Sequence, residues 1–231
     1  MAEVPPAAAP KKLLPSLSAR RLLLVSTGTA STSFLPFWLN WLRDNYADLE
    51  VKVVLTRSAE RFVTPQAVSL LNGRPVLHDA WPDEPAPAAM HVALAEWADA
   101  IGVFPASAHF IARFALGICD TPVTLALQCS KQVIGVAPSV PPGLTGNPVH
   151  EGHLRALSER PNVVVTRTTV GRSATTGRYD QGVVVPMWEL IELIEARRAA
   201  IAAGLQQENG MGSDGRDTGS AVGDDPAFRQ Y

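Results

Sequence analysis

At 231 residues, 46% of them hydrophobic, the chain carries enough apolar material for one self-sufficient core, and its two cysteines exclude a disulfide framework. A formal net charge of −2 supplies no basic field, which excludes the usual nucleic-acid-binding profile. No apolar run reaches the length of a membrane span, and MAEVPPAAAPKK at the start has no apolar centre of the signal-peptide kind, so a cytoplasmic protein with no membrane partner is expected. Both Cys119 and Cys129 lie in apolar segments and are expected to be buried thiols. Residues 1–19 read as a disordered Pro/Ala arm and residues 206–231, rich in Gly, Ser and Asp, as a disordered tail, which leaves 20–205 as the domain.

Arg21 to Ser26 (RLLLVS) is an apolar run of strand length, and Thr27 to Ser33 (TGTASTS) is a turn of small, hydroxylated residues. Phe34 to Tyr46 then places Leu35, Trp38, Leu39 and Leu42 at helical spacing, with Ser33 as N-cap and Pro36 in the first turn. Strand, small-residue turn and helix in this order gather hydroxyls and N–H groups where the helix dipole favours an anion. The same pattern also makes a plain structural connection, and the residues alone leave both readings open. Glu50 to Leu55 (EVKVVL) is the second strand, Thr56-Arg57-Ser58 the next turn, and a short helix holding Phe62 follows. Thr64-Pro65 opens another helix that reaches Asn72-Gly73, and Asp79 to Ala89 is a Pro- and Ala-rich extended loop.

His91 to Asp120 is expected to form a helix, a buried strand from Ala100 to Phe104, a tight Pro105-Ala106-Ser107-Ala108 turn, and a second helix from Ala108 to Leu116. Gly117 stops that helix by accepting a left-handed backbone. A histidine that opens a helix is either a cap or a surface group; His91 is also of the type best suited to proton transfer near neutral pH. Beyond it, Thr121 to Ser130 is a helix, Gln132 to Val136 a strand, Pro148 to Leu157 a helix and Asn162 to Thr166 a strand. His150 and His153 share a helix face with no further ligand in sight, so no metal site is expected. Thr168 to Gln181 is polar, Gly-rich and long, the profile of a mobile functional loop. Met187 to Leu205 is a closing amphipathic helix with Leu190, Ile191, Ile194 and Ile201 on one face. Strands alternating with helices imply a three-layer α/β fold around a parallel sheet, flavodoxin- or Rossmann-like.

Pro105-Ala106-Ser107-Ala108, followed by Ile111 and Gly117-Ile118-Cys119-Asp120, resembles the PASANT signature of the homo-oligomeric flavin-containing cysteine decarboxylases. Within that family the chain is most similar to the epidermin-type peptidyl-cysteine decarboxylases, over roughly Leu22 to Val185. The resemblance implies that His91 is the active-site histidine. It places the flavin against Gly28, Thr29, Ser31 and Ser33 after the first strand, Thr56, Ser58 and Phe62 after the second, and Pro105, Ala106, Ser107 and His109 after the buried strand. For Phe62, plain core packing is the competing reading. The family's PxMNxxMW turn corresponds to Pro138 through Thr145, followed by a matching Gly146-Asn147-Pro148, so Val140, Pro141 and Leu144 stand at substrate-binding positions. The family's methionine-asparagine pair is Val140-Pro141 here, and proline has no amide to offer a substrate carboxylate. The PASANT asparagine and threonine are likewise His109 and Phe110. Thr176-Gly177-Arg178-Tyr179 resembles the segment that covers the substrate, which makes Arg178 and Tyr179 substrate-binding candidates. Arg178 is the first choice to hold the carboxylate, ahead of His109, with a merely solvated loop arginine as the alternative.

The resemblance further implies FMN, with FAD left open, and a homotrimer or dodecamer whose site lies between subunits. The expected reaction is oxidative decarboxylation of the C-terminal cysteine of a ribosomally made precursor peptide, giving an enethiol for aminovinyl-cysteine formation in peptide-antibiotic (lanthipeptide) biosynthesis. The alternatives on the same scaffold are phosphopantothenoylcysteine decarboxylase of coenzyme A synthesis and a non-catalytic flavin-binding regulatory subunit.

Overall fold

Six apolar segments pair side by side in parallel, and the computed structural model describes them within residues 14–84, 88–173 and 176–212. The strands are β1 (Arg21–Ser26), β2 (Glu50–Leu55), β3 (Leu77–His78), β4 (Ala100–Ala106), β5 (Val133–Pro138) and β6 (Val163–Val165). Their spatial order is β3-β2-β1-β4-β5-β6, so the chain leaves β1 toward one edge and returns at β4 to build the other. Such a reversal opens a crevice outside the carboxyl ends of the two central strands. β4 and β5 are buried at every position, as strands covered on both faces must be.

Helices fill both faces. α3 (Met90–Trp97), α4 (Ala108–Ala115), α5 (Pro122–Cys129) and α6 (Pro148–Ser158) lie over one, where Leu94, Phe110, Ile111, Phe114, Leu127 and Leu157 pack with Leu23, Val25, Ile101, Val103 and Ile134. On the other, α1 (Leu35–Asn45) sets Trp38 edge-on to Phe104 of β4, and α2 (Pro65–Asn72) packs beside α1. The first turns of α7 (Met187–Gly212) lie over the facing pair Gly102 and Gly135. Leu190 and Ile194 occupy the space that side chains on those strands would take: a Cβ at Gly135 would stand 2.6 Å from Ile194 Cγ1 and 2.6 Å from Leu190 Cδ1. The compact unit ends at Arg198; from Ala199 the helix continues as a separate unit that includes Ile201.

The structure corrects several expectations. β3 falls between Gly73 and Asp79, where the sequence pattern assigns no element, because two residues carry no readable period. β4 runs on through Pro105 and Ala106, and β5 through Pro138. Ser33 is not a helix cap: Ala30–Phe34 form a 3-10 turn, Phe34 takes the cap position of α1, and Ser33 Oγ donates to Ala30 O at 2.8 Å. Thr168 to Gln181 is no open loop; β7 (Thr168–Arg172) and β8 (Tyr179–Val184) pair as an antiparallel hairpin. α7 runs past Leu205 to Gly212. Residues 14–19 pack on the domain, where the Tyr46 hydroxyl donates to Pro15 O at 2.8 Å and Ser18 N–H to Glu195 Oε2 at 3.0 Å. Burial pushes the Tyr46 phenol up to about 12. The expected disorder of 1–13 and 213–231 falls outside the described residues. Neither thiol is buried: Cys119 is half-buried and Cys129 exposed, because Cys129 falls on the outer face of α5. Among the described residues no helix is long and apolar enough to cross a membrane, and no cluster of three acidic, His or Cys side chains is placed to hold a metal.

The close seat of α7 sets an expected outcome. Gly135→Ala should cost about 1–3 kcal/mol in urea unfolding, since overpacking forces neighbours to shift. Adding Ile194→Val should recover part of that cost, and a strictly additive double variant would contradict the packing described.

Candidate functional site

All six strands of the sheet run the same way, so every turn that follows one opens at the same edge. At its centre, Thr27 continues β1 and is almost fully buried (1% exposed). Its hydroxyl donates to Pro105 O at 2.7 Å and accepts from Ser107 N–H at 2.7 Å, while its own N–H reaches Pro105 O at 3.2 Å. Ser26 Oγ donates to Phe104 O at 2.6 Å just below. The turns after β1 and β4 are thereby fastened into one floor. Neither Thr27 nor Ser26 stood among the candidate residues; their signal was a buried hydroxyl ending an apolar strand, which sequence does not separate from a solvated turn.

Around that floor the expected residues assemble. Thr29 caps a 3-10 turn and is nearly buried, with Oγ1 at 3.4 Å from Thr32 Oγ1. Thr32 donates to Thr27 O at 2.5 Å. Gly28 abuts the turn after β2 so closely that an added Cβ would overlap the Ser58 side chain. Thr56 N–H bonds Ser26 O at 3.1 Å, which keeps Thr56 and Ser58 beside the first turn. Phe62 is 42% exposed, so it does not serve core packing. Beyond β4, Ser107 caps α4, accepting from Phe110 N–H at 3.3 Å. The N–H groups of Ala108 and His109 lie in the first turn, before the intrahelical ladder begins, and His109 is exposed there. Ser139, which the sequence reading passed over, joins the next strand: its N–H reaches Ala106 O at 2.8 Å and its Oγ lies 3.0 Å from Ser31 Oγ.

The substrate-side candidates are more scattered. Val140 is buried under the hairpin, its N–H donating to Gly182 O at 2.9 Å, with the left-handed Gly182 held against Val140 O. Pro141 is exposed and Leu144 half-buried in a 3-10 turn. Arg178 and Tyr179 are exposed at the hairpin tip, whose hydrogen bonds are local: Ser173 N–H to Arg178 O at 2.8 Å and Arg178 N–H to Thr176 Oγ1 at 3.3 Å. The hairpin thus docks through its middle, and among the described residues no hydrogen bond joins its tip to α4. Ser33 is exposed and turned to its own backbone.

His91 lies in the first turn of α3, half-buried, with Nδ1 buried and without a hydrogen-bond partner among the described residues. Twelve residues earlier Asp79 is tied down: its N–H bonds Leu55 O at 2.9 Å, and its Oδ1 accepts from Val123 N–H at 3.1 Å. Burial pushes the Asp79 carboxyl above its usual range, against the opposing hydrogen bonds from Val123 and Thr121.

The sequence matches a known family along most of its length. The Flavoprotein family model covers residues 11–198. The chain belongs to the Flavoprotein family. Among relatives, the cypemycin cysteine dehydrogenase (decarboxylating) of a Streptomyces species is 31% identical over 137 residues, 59% of this chain and 70% of that protein. The coenzyme A biosynthesis bifunctional protein CoaBC of Vibrio vulnificus is 36% identical over 112 residues, 48% of this chain but only 28% of its own length, so this flavoprotein aligns with about a quarter of it. Among solved structures, the FMN-dependent cysteine decarboxylase SpaF superimposes with a TM-score of 0.65 at 23% identity over 77% of this chain and 97% of its own, which establishes the shared fold.

Thr27 carries the floor of this flavoprotein, so Thr27→Val, which keeps the shape and deletes the hydroxyl, should cost about 1–3 kcal/mol by leaving Ser107 N–H unpaired. Chemical denaturation checks this. A variant as stable as the wild type would show that the two turns do not depend on that hydroxyl.

Proposed function

We propose that this flavoprotein oxidatively decarboxylates the C-terminal cysteine of a ribosomally made precursor peptide, in the cytoplasm, on the way to an aminovinyl-cysteine peptide antibiotic. The observation that carries the reading is the joint floor of the β1 and β4 turns at the sheet reversal, in a chain whose relatives include a decarboxylating cysteine dehydrogenase. The donor set fits FMN. Thr29, Ser31 and Ser58 with the N–H groups of the first turn offer a phosphate several neutral donors, and Ser107 with the first-turn N–H groups of α4 faces the same edge. The exposed Phe62 offers an apolar wall for a ring. Pro105, Ala106 and Gly28 contribute backbone, and His109 an exposed imidazole at the start of α4. Bound there, FMN supplies a two-electron acceptor for the Cα–Cβ–S unit of the cysteine.

The protein's own residues orient the substrate and move protons. Oxidation across Cβ–S gives a thioaldehyde, which draws electrons from Cα so that carbon dioxide leaves and an enethiolate forms. His91 is assigned the proton transfers at the cysteine; with Nδ1 buried, Nε2 is the nitrogen left to meet the substrate. Pro141 donates nothing to the carboxylate, and we assign that role to Arg178 brought in from a neighbouring subunit, with His109 second. Tyr179 and Leu144 are assigned to the peptide's binding surface in the same way, above the buried Val140. The assembly is a homotrimer or a dodecamer built of four trimers, consistent with exposed Phe34, Phe37, Leu116 and Ile118. A second reading, decarboxylation of phosphopantothenoylcysteine, is favoured by the match to CoaBC.

A short peptide ending in cysteine should lose carbon dioxide and two hydrogens, read by mass, while its C-terminal amide should not react. His91→Asn should lower turnover by about 10²–10⁴-fold with flavin retained. Turnover of phosphopantothenoylcysteine but of no peptide would install the second reading. A His91→Asn enzyme at wild-type rate would remove the acid/base assignment.

A further inference from the structure

His91 is held in an unusual way for a functional imidazole. Such rings are ordinarily oriented by a hydrogen bond from one nitrogen to a carboxylate or carbonyl, which also fixes the tautomer. Here Nδ1 is buried and has no hydrogen-bond partner among the described residues, and Ala89, at the cap of α3, makes no side-chain capping bond that would stiffen the first turn. Imidazole χ2 has a broad, shallow profile, so packing alone must select the ring's orientation. The packing partner is Trp81, whose indole meets the His91 ring edge-on, with centroids 6.0 Å apart and planes at 75°.

Trp81 is itself fastened. Its Nε1–H donates to Asp120 O at 3.1 Å, and the Asp120 carboxylate pairs with the Arg113 guanidinium. Two residues earlier, Asp79 anchors the same strap to β2 through Leu55 O and to the start of α5 through Val123 N–H. The indole therefore stands on a base fixed to three elements, β2, α4 and α5. Yet 46% of Trp81 is exposed, and it lies outside the buried core cluster, so core packing does not account for a tryptophan at this position.

We propose that Trp81 is a positioning residue for the decarboxylation: it braces the His91 imidazole so that Nε2 stays aimed at the substrate cysteine. The inference rests on the assignment of His91 as the acid/base, and it concerns no contact of Trp81 with peptide or flavin.

The test compares full-length, FMN-bound wild type, Trp81→Ala and Trp81→Phe. Two readouts are taken: kcat and KM with a cysteine-terminated peptide, and the rate of diethyl pyrocarbonate modification of His91, mapped by peptide mass with His153 as internal reference. Misplacing a catalytic group by about 1 Å costs up to about 10²-fold, so Trp81→Ala should lower kcat by roughly 10- to 100-fold while KM changes by less than about 2-fold. Flavin content should hold, and His91 should be modified several-fold faster as the ring is released. Trp81→Phe keeps an aromatic edge and should recover most of the kcat. A raised KM at unchanged kcat would make Trp81 a peptide contact, and lost flavin would make it a cofactor contact; either overturns the proposal, as does unchanged His91 modification in Trp81→Ala. If wild type turns over no cysteine peptide, the functional reading fails, and the modification rates still decide whether Trp81 orders the ring.

Discussion

One hydroxyl joins the two turns on which the site is built. Thr27 Oγ1 both donates to Pro105 O and accepts from Ser107 N–H, so the exit of β1 and the exit of β4 share a single fixed geometry. Because those strands are neighbours at the reversal of a parallel sheet, whatever sits outside them meets two helix beginnings, α1 with its preceding 3-10 turn and α4. Fixing this floor from within the core leaves Ser31 and the first N–H groups of α4 at the crevice, with the nearly buried Thr29 beneath them. Preorganised donors of this kind need no rearrangement when an anion arrives.

The layers on either side of the sheet serve that floor differently. On one face α7 seats Leu190 and Ile194 on Gly102 and Gly135, locking β4 against β5 from behind. On the other, Phe110, Ile111 and Phe114 bury α4 so that its first turn is held at the crevice. The hairpin of β7 and β8 is attached mainly through Gly182 and Val140, which leaves its tip, with Arg178 and Tyr179, to project. A tip held by a narrow base is suited to reaching a neighbouring subunit or a long substrate.

Much of this was legible in the sequence. The strand from Arg21 to Ser26, the Thr64 cap, the left-handed Gly117 and the turns that gather at one edge all follow from local pattern, because buried parallel strands are unbroken apolar runs and caps have their own residue chemistry. What escaped was set by partners distant in the chain. Thr27 is a keystone only because Pro105 and Ser107 come to it across 78 and 80 residues. Ser139 matters only beside Ser31. The Thr168 to Gln181 stretch looked like an open loop since its Gly, Ser and Thr content hides a hairpin whose register shifts between Thr169 and Val170. Trp81 looked like one more loop residue until its ring lay against His91.

The central claim is that the joined turns after β1 and β4 hold a flavin mononucleotide. Its most direct measurement is the visible absorption of the purified protein, with the released chromophore identified by mass. A yellow protein that releases one FMN per chain, and a Thr27→Val variant that releases less, would support it. A colourless wild type that takes up neither FMN nor FAD on reconstitution would contradict it.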